Sequence, residues 1–160
     1  MARDTQQAID DLDRRVLRAL RDEPRATLGE MAELVGVSRT TFKARLDRLW
    51  DSGVIIGHET QLDLASMGFE VQAWVQLNVV QGELAVIQQH LDGMPHVIEA
   101  FATTGGADVQ CRVVARSTAH LQEVLLTLGS CPAVTRTKSS VILSSLVSHR
   151  KVQSLDLLEL

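Results

Sequence analysis

The chain has 160 residues, of which 45% are hydrophobic and 22% are charged, as is usual for a folded soluble protein. Its net charge of −4 gives no overall basic bias toward nucleic acid, and its two cysteines form no CxxC pair or disulfide framework. The polar first residues predict no signal peptide, and no apolar run reaches the roughly 18 residues of a membrane span, so we expect a cytoplasmic protein with no membrane contact.

Three helices are predicted at the start of the chain. Apolar residues recur at helical spacing over 9–21, and Thr27 with Glu30 forms a capping box for a helix that Gly36 ends. Ser38 caps the third helix, which reaches about Asp51. Two helices joined by a tight turn outline a helix-turn-helix, and two short extended runs around Gly57 predict a hairpin wing.

The second half alternates strands and helices. Strands are predicted at 70–81, 96–103, 108–115 and 133–147, and helices at 83–92 and 118–128. The order β-α-β-β-α-β predicts a ferredoxin-like sandwich with a four-stranded antiparallel sheet. The chain is therefore predicted to be an α+β protein with a winged helix-turn-helix at 1–57, a wing return strand and linker at 58–69, an α/β domain at 70–147 and a tail at 148–160. For the tail, a weak helix and a mobile segment both stay open.

The third helix is basic within an acidic chain. Within residues 38–50, Arg39, Lys43, Arg45 and Arg48 stand against Asp47 alone. The first-turn residues Ser38, Arg39, Thr40 and Thr41 suit base edges and phosphates in the major groove of double-stranded DNA, and Lys43, Arg45 and Arg48 suit phosphates. For a basic helix in isolation, a solvated helix face is the favoured explanation of such charges. The capped helix before it, the glycine turn and the predicted hairpin favour DNA binding.

The loop at 103–108 carries two glycines before an aspartate. The backbone N–H groups of Gly105 and Gly106 can hold an anion such as an α-carboxylate, and Asp108 can receive an α-ammonium or stabilise the loop. A glycine-rich turn in which the aspartate caps backbone groups explains the same residues. Spacing alone favours that simpler interpretation.

Together these motifs resemble the Lrp/AsnC (leucine-responsive, feast/famine) family of transcription regulators. The matching residues in the first half are Leu12-Asp13, Arg25, Leu28-x-x-Met31-Ala32, Gly36-Val37-Ser38 and Arg45-x-x-x-Leu49-x-x-x-Gly53-Val54-Ile55. In the second half they are Pro95-x-Val97, Thr104-Gly105-x-x-Asp108 and Pro132-x-Val134. The resemblance covers about residues 9–147.

The resemblance implies a sensor domain that also oligomerises. It implies homodimers whose sheets pack together, rings of dimers up to octamers, and a small-molecule effector, expected to be an amino acid, near contacts between dimers. The family's effector positions correspond to Phe101, Thr104, Gly105, Gly106, Asp108, Thr118, Ser140, Val141 and Ile142. Ala107 and Ser140 stand where the family often has aromatic residues, which implies a roomier or more polar pocket.

Three other functions were weighed. No nucleophile with a base, paired carboxylate site or phosphate loop is present, and Cys111 lies within an alternating strand, so the sequence predicts no enzyme and no cofactor. The five histidines and two cysteines are scattered, so no metal site is predicted. An architectural protein that coats DNA with little sequence preference shares the basic helix and the oligomer, and stays open.

Overall fold

The computed structural model describes residues 9–58 and 60–146. They fall into two compact units, one ending at Thr60 and the other comprising Gln61–Leu146. The first unit contains α1 (Asp11–Asp22), α2 (Leu28–Val35) and α3 (Arg39–Asp51). The second contains β1 (Val71–Val79), α4 (Leu84–Asp92), β2 (Val97–Ala102), β3 (Val109–Ala115), α5 (Thr118–Gly129) and β4 (Val134–Ile142). No helix in these residues is both long and apolar enough to cross a membrane.

Side chains near the helix ends set where the first three helices begin. The predicted capping box of α2 is confirmed: Thr27 N donates to Glu30 Oε2 at 2.7 Å, and Glu30 N donates to Thr27 Oγ1 at 3.4 Å. Hydrogen bonds to the Glu30 carboxylate from Thr27 N and, at 2.8 Å, from the Thr27 hydroxyl lower the pKa of Glu30. Helix α1 has a second box, from Asp10 and Asp13, that the sequence analysis missed; it starts the helix at Asp11 rather than Ile9.

The core of the first unit lies between the three helices. Gly36 ends α2 with φ +74°, a left-handed conformation that suits glycine, and Ser38 caps α3. The chain can therefore turn sharply and bring α3 against both earlier helices. The buried apolar residues are Val16, Ala19, Met31, Ala32, Val35, Phe42 and Leu49.

The predicted wing hairpin is not formed in the residues described here. Residues 54–58 and 60–63 contain no strand, and Glu59 lies outside the described residues. Val54 N and Ile55 N both donate to Leu49 O at 3.1 Å, so they hydrogen-bond back to the end of α3. Ile56 is 92% exposed. The described residues of 58–69 likewise contain no strand, and the return strand stays a prediction.

The second unit has the predicted order of elements around a four-stranded antiparallel sheet. The strands lie in the order β2-β3-β1-β4. Leu77 pairs with Val109 and Val71 with Ala115, so β3 runs back along β1 from Leu77 to Val71. The predicted alternation of β1 is confirmed in its middle, where Ala73, Val75 and Leu77 are fully buried. These residues belong to the core that α4 and α5 cover.

The last strand is shorter than predicted. It ends at Ile142, and residues 143–146 follow it without regular structure. Leu143 and Leu146 are each 94% exposed, so among the described residues no apolar contact extends the strand beyond Ile142. The predicted tail at 148–160 lies outside the described residues.

Candidate nucleic-acid interface and effector positions

Helix α3 presents one polar face to solvent. Arg39, Thr40, Lys43, Ala44 and Asp47 are exposed, whereas Phe42 and Leu49 are buried on the opposite side. Thirteen residues give a helix about 20 Å long, which a major groove accommodates. The exposed face therefore combines hydrogen-bond donors, an acceptor and one methyl group, the chemistry that reads base edges.

Two of the predicted DNA-binding hydroxyls hold the start of α3. Thr41 N donates to Ser38 Oγ at 3.1 Å, and the Ser38 and Thr41 hydroxyls lie 2.8 Å apart. These bonds satisfy donors that a helix N-terminus leaves without partners. Ser38 and Thr41 are exposed, but their first role in this structure is to cap the helix.

Two further residues of the predicted set are available to a ligand. The side chains of Arg39 and Thr40 have no hydrogen-bond or ion-pair partner among the described residues. Lys43 Nζ lies 2.6 Å from Asp47 Oδ2 one turn later, and both side chains are more than half exposed. Lys43 can therefore exchange this partner for a phosphate at small cost, because an exposed pair contributes little.

Arg45 and Arg48 point toward α1. Arg45 pairs with Asp10 and lies 3.3 Å from Asp13 Oδ1. Arg48 pairs with Asp13 and lies 3.9 Å from Asp10 Oδ2. Their side chains are only 30% and 31% exposed. The sequence analysis assigned both to phosphates, but the structure shows them bound to carboxylates within the unit.

The sequence analysis missed Ala44 and Asp47. Both share the exposed face with Arg39, Thr40 and Lys43, since residues three and four apart lie on one side of a helix. Helical spacing counted from Arg39 would have found them. An exposed Ala can contact a thymine methyl, and an Asp can accept from the amino group of cytosine.

The predicted effector loop is held by the neighbouring strand. Asp108 Oδ2 accepts a hydrogen bond from Val79 N at 2.8 Å, and Asn78 Nδ2 donates to Gly106 O at 3.2 Å. Gly105 has φ +114°, a conformation that favours glycine. Within one chain, Asp108 therefore caps backbone at the end of β1, and Thr104 and both glycines remain exposed.

The predicted effector residues form two groups at opposite ends of the sheet. Phe101, Thr104, Gly105, Gly106 and Asp108 lie at the end where Val109 pairs with Leu77. Ser140, Val141 and Ile142 lie toward the other end, where Ile142 pairs with Gln72, and Thr118 follows the end of β3 there. At the usual rise per residue the two ends are about 17 Å apart. One chain does not bring these residues together.

An aromatic cluster that the sequence analysis did not foresee lies near Thr118. The rings of His96 and His120 are 4.8 Å apart and edge-on, and Phe69 packs against His96. The Arg116 guanidinium lies 5.6 Å from the centre of the Phe69 ring, and Arg116 N donates to His120 Nδ1 at 3.1 Å. The cluster ties the segment before β1 to the start of α5. No local sequence pattern connects residues so far apart.

A cavity of about 610 Å³ runs between α4 and the edge strand β2. Every residue of β2 lines it, opposite Leu84, Ile87, Gln88 and Leu91 on one side of α4. Phe101 is the single predicted effector residue on its wall. The glycine loop does not contribute to it.

No group of three or more metal-ligating side chains occurs in the described part of the chain. Cys111 is fully buried, and its thiol donates to Val75 O at 3.6 Å. Burial raises the pKa of Cys111 to about 11. The thiol therefore stays protonated at neutral pH, as expected for a structural cysteine.

Comparison with known proteins supports both halves of this description. The family model described as winged helix-turn-helix DNA-binding matches residues 9–56, and the Lrp/AsnC ligand binding domain matches residues 72–152. These matches define the class: a DNA-binding helix-turn-helix joined to a ligand-binding domain.

Similar whole proteins carry the same combination. The HTH-type transcriptional regulator Rv2324 of Mycobacterium tuberculosis is 35% identical over 143 residues, covering 88% of this chain and 96% of its own length. The regulatory protein AsnC of Haemophilus influenzae is 30% identical, with 74% of this chain and 80% of its own covered. The structure of E. coli AsnC matches with a TM-score of 0.83 at 26% identity, over 89% of this chain and 97% of that one. This chain belongs to the Lrp/AsnC family of transcription regulators.

Proposed function

We propose that the protein is a sequence-specific transcription regulator that reads double-stranded DNA with the exposed face of α3. The observation that carries this proposal is the set of available side chains on that face, Arg39, Thr40 and Lys43, flanked by Ala44 and Asp47. Arg and Thr donate to base edges, and Lys positions the helix on phosphate. The site of action is the cytoplasm.

The regulatory half senses an amino acid in this proposal. Support comes from the match to a ligand-binding domain and from a regulator of Neisseria meningitidis, similar in fold, whose structure is a complex with L-Met. The glycine loop offers N–H groups to a carboxylate. Because the two groups of predicted effector residues lie at opposite ends of one sheet, a site that uses both takes them from different copies of the chain.

Association of copies is part of the same proposal. Homodimers that assemble into rings such as octamers would supply the second group of effector residues and would present two α3 helices to DNA. Paired half-sites are then expected about 10 bp apart, or a multiple, from centre to centre. Light scattering after size exclusion measures the assembly, and footprinting measures the spacing.

The decisive experiment compares specific with non-specific DNA. Fluorescence anisotropy of the purified protein is measured on a duplex from its own promoter region and on a scrambled duplex, at several salt concentrations. A specific regulator prefers its operator by roughly 10³-fold or more. Equal affinity for both duplexes with a steep salt dependence would instead identify an architectural DNA-coating protein.

An amino-acid panel tests the sensing half. Thermal shift is recorded for the protein with each of the common amino acids, and light scattering is repeated with any that binds. One or a few amino acids should raise the melting temperature, because a ligand that binds only the folded state stabilises it. No shift across the whole panel would contradict the amino-acid proposal and leave the DNA-binding proposal standing.

A further inference from the structure

Asp13 is the one charged side chain that is fully buried among the described residues. Leaving an ionised carboxylate unpaired in a protein interior is very unfavourable, so such a group needs partners. Asp13 has three: its carboxylate accepts from Asp10 N at 3.0 Å, pairs with Arg48, and lies 3.3 Å from Arg45 Nη1. The first contact belongs to α1 and the other two reach α3.

The two arginines approach Asp13 from adjacent turns of α3. Residues three apart lie on the same side of a helix, so Arg45 and Arg48 together hold that side against α1. The buried side chains of Phe42 and Leu49 also hold α3 in place, but apolar contacts have no directional preference. The ion pairs are directional and therefore set the rotation of α3 about its own axis.

This rotation matters for reading DNA. With a helix radius of about 5–6 Å including side chains, a 10° rotation moves the exposed face by about 1 Å. A functional site tolerates only about 0.5 Å of displacement. The reading face can therefore reach the correct base edges and phosphates only if α3 is held on the side that faces α1. The residues of that face are Arg39, Thr40 and Lys43.

We propose that Asp13 is the positioning residue of the DNA-reading surface, and that Arg45 and Arg48 act on DNA through it rather than by contacting phosphate. This inference rests on the proposed DNA-binding function. Asp10 supports the arrangement, because it caps α1 and also pairs with Arg45.

The proposal predicts a change in DNA affinity opposite to the one that net charge alone predicts. Removing a negative charge from a DNA-binding unit should strengthen binding to a polyanion. Asp13→Asn should instead weaken operator binding by tenfold or more. The matched control is Asp11→Asn, which removes the same charge from an 82% exposed side chain of α1, outside the reading face, and should leave affinity equal or higher.

A variant of Arg48 distinguishes positioning of α3 from direct contact with phosphate. Each phosphate contact contributes about 0.9 to the slope of log affinity against log salt concentration. Arg48→Gln should lower affinity while the slope stays at the parent value. The double variant Asp13→Asn/Arg48→Gln should bind about as weakly as the weaker single variant, because both changes break one interaction.

All variants are measured as full-length protein by anisotropy on the operator duplex, with circular dichroism on the same samples. Asp10→Asn provides a second route if Asp13→Asn does not fold, since Asn caps a helix as well as Asp but pairs more weakly with arginine. It should lower affinity several-fold at unchanged helical content.

The outcomes are distinct. The proposal is overturned if folded Asp13→Asn or Asp10→Asn binds the operator as tightly as the parent, or if Arg48→Gln reduces the slope by about 0.9 and adds to Asp13→Asn. A parent protein that binds no duplex would overturn the proposed function itself and this inference with it. A parent that binds, with weakened Asp13→Asn and an Asp11→Asn variant of equal or higher affinity, supports both.

Discussion

Removal of the Arg39 side chain tests the DNA-reading surface most directly. Arg39 lies in the first turn of α3, is exposed, and has no partner for its side chain among the described residues. Arg39→Ala should therefore change the free energy of unfolding by less than about 0.5 kcal/mol, as expected for a surface position without contacts. Any loss of DNA binding then reflects the interface and not the fold.

The expected loss follows from the kind of contact. A bidentate arginine–guanine contact contributes about 1–3 kcal/mol of discrimination, so operator affinity should fall roughly 5- to 150-fold. Arg39→Lys is the matched variant, because it keeps the charge and loses the planar pair of donors. If Arg39 reads a base, Lys should rescue little; if it binds phosphate, Lys should rescue most of the affinity.

Anisotropy titrations with operator and scrambled duplexes at fixed salt measure operator affinity and the discrimination between the two duplexes. Chemical denaturation measures the free energy of unfolding. Operator affinity of Arg39→Ala equal to that of the parent would refute the assignment of this face. A fall in stability of several kcal/mol would refute the structural premise that Arg39 lacks partners.

Three further predictions concern other parts of the chain. Asp108→Ala should abolish the effector-induced thermal shift while circular dichroism stays unchanged; a retained shift would contradict the loop assignment. Thr27→Ala should lower the free energy of unfolding by about 1 kcal/mol through loss of the α2 capping box, measured by urea denaturation, with no change in cooperativity. Burial raises the pKa of Cys111 from 9.0 to about 11, so the folded state retains its proton where the unfolded state loses it. The contribution of this thiol to the free energy of unfolding is therefore complete below pH 9 and is lost between pH 9 and 11. Cys111→Ala should flatten that part of a curve of the free energy of unfolding against pH.

Much of the fold could be predicted because its signals are local. The Thr27–Glu30 capping box, the left-handed Gly36 and the alternation of Ala73, Val75 and Leu77 each involve residues within a few positions of one another. The hairpin wing was predicted from the same kind of signal, and the described residues of that segment contain no strand. A hairpin also needs an apolar cover, which a local pattern does not reveal.

The candidate site shows where local reasoning stops. The sequence identified the basic helix and its first-turn residues, but it assigned Lys43, Arg45 and Arg48 alike to phosphates. Arg45 and Arg48 meet a carboxylate 32 and 35 residues earlier in the chain, and only packing of α3 on α1 brings them together. The effector positions divide for a similar reason, because pairing of β1 with β3 and β4 places them at opposite ends of one sheet.

The sequence by itself therefore determined the order and type of the helices and sheet strands, the caps of α2 and α3 and the family, since backbone hydrogen bonds and apolar periodicity act over a few residues. The tertiary structure decided which charges remain available to a partner. That depends on long-range contacts, because burial forces the Asp13 carboxylate to take cations from another helix. The cations of α3 that remain exposed, Arg39 and Lys43, are then the ones on this helix that can meet DNA.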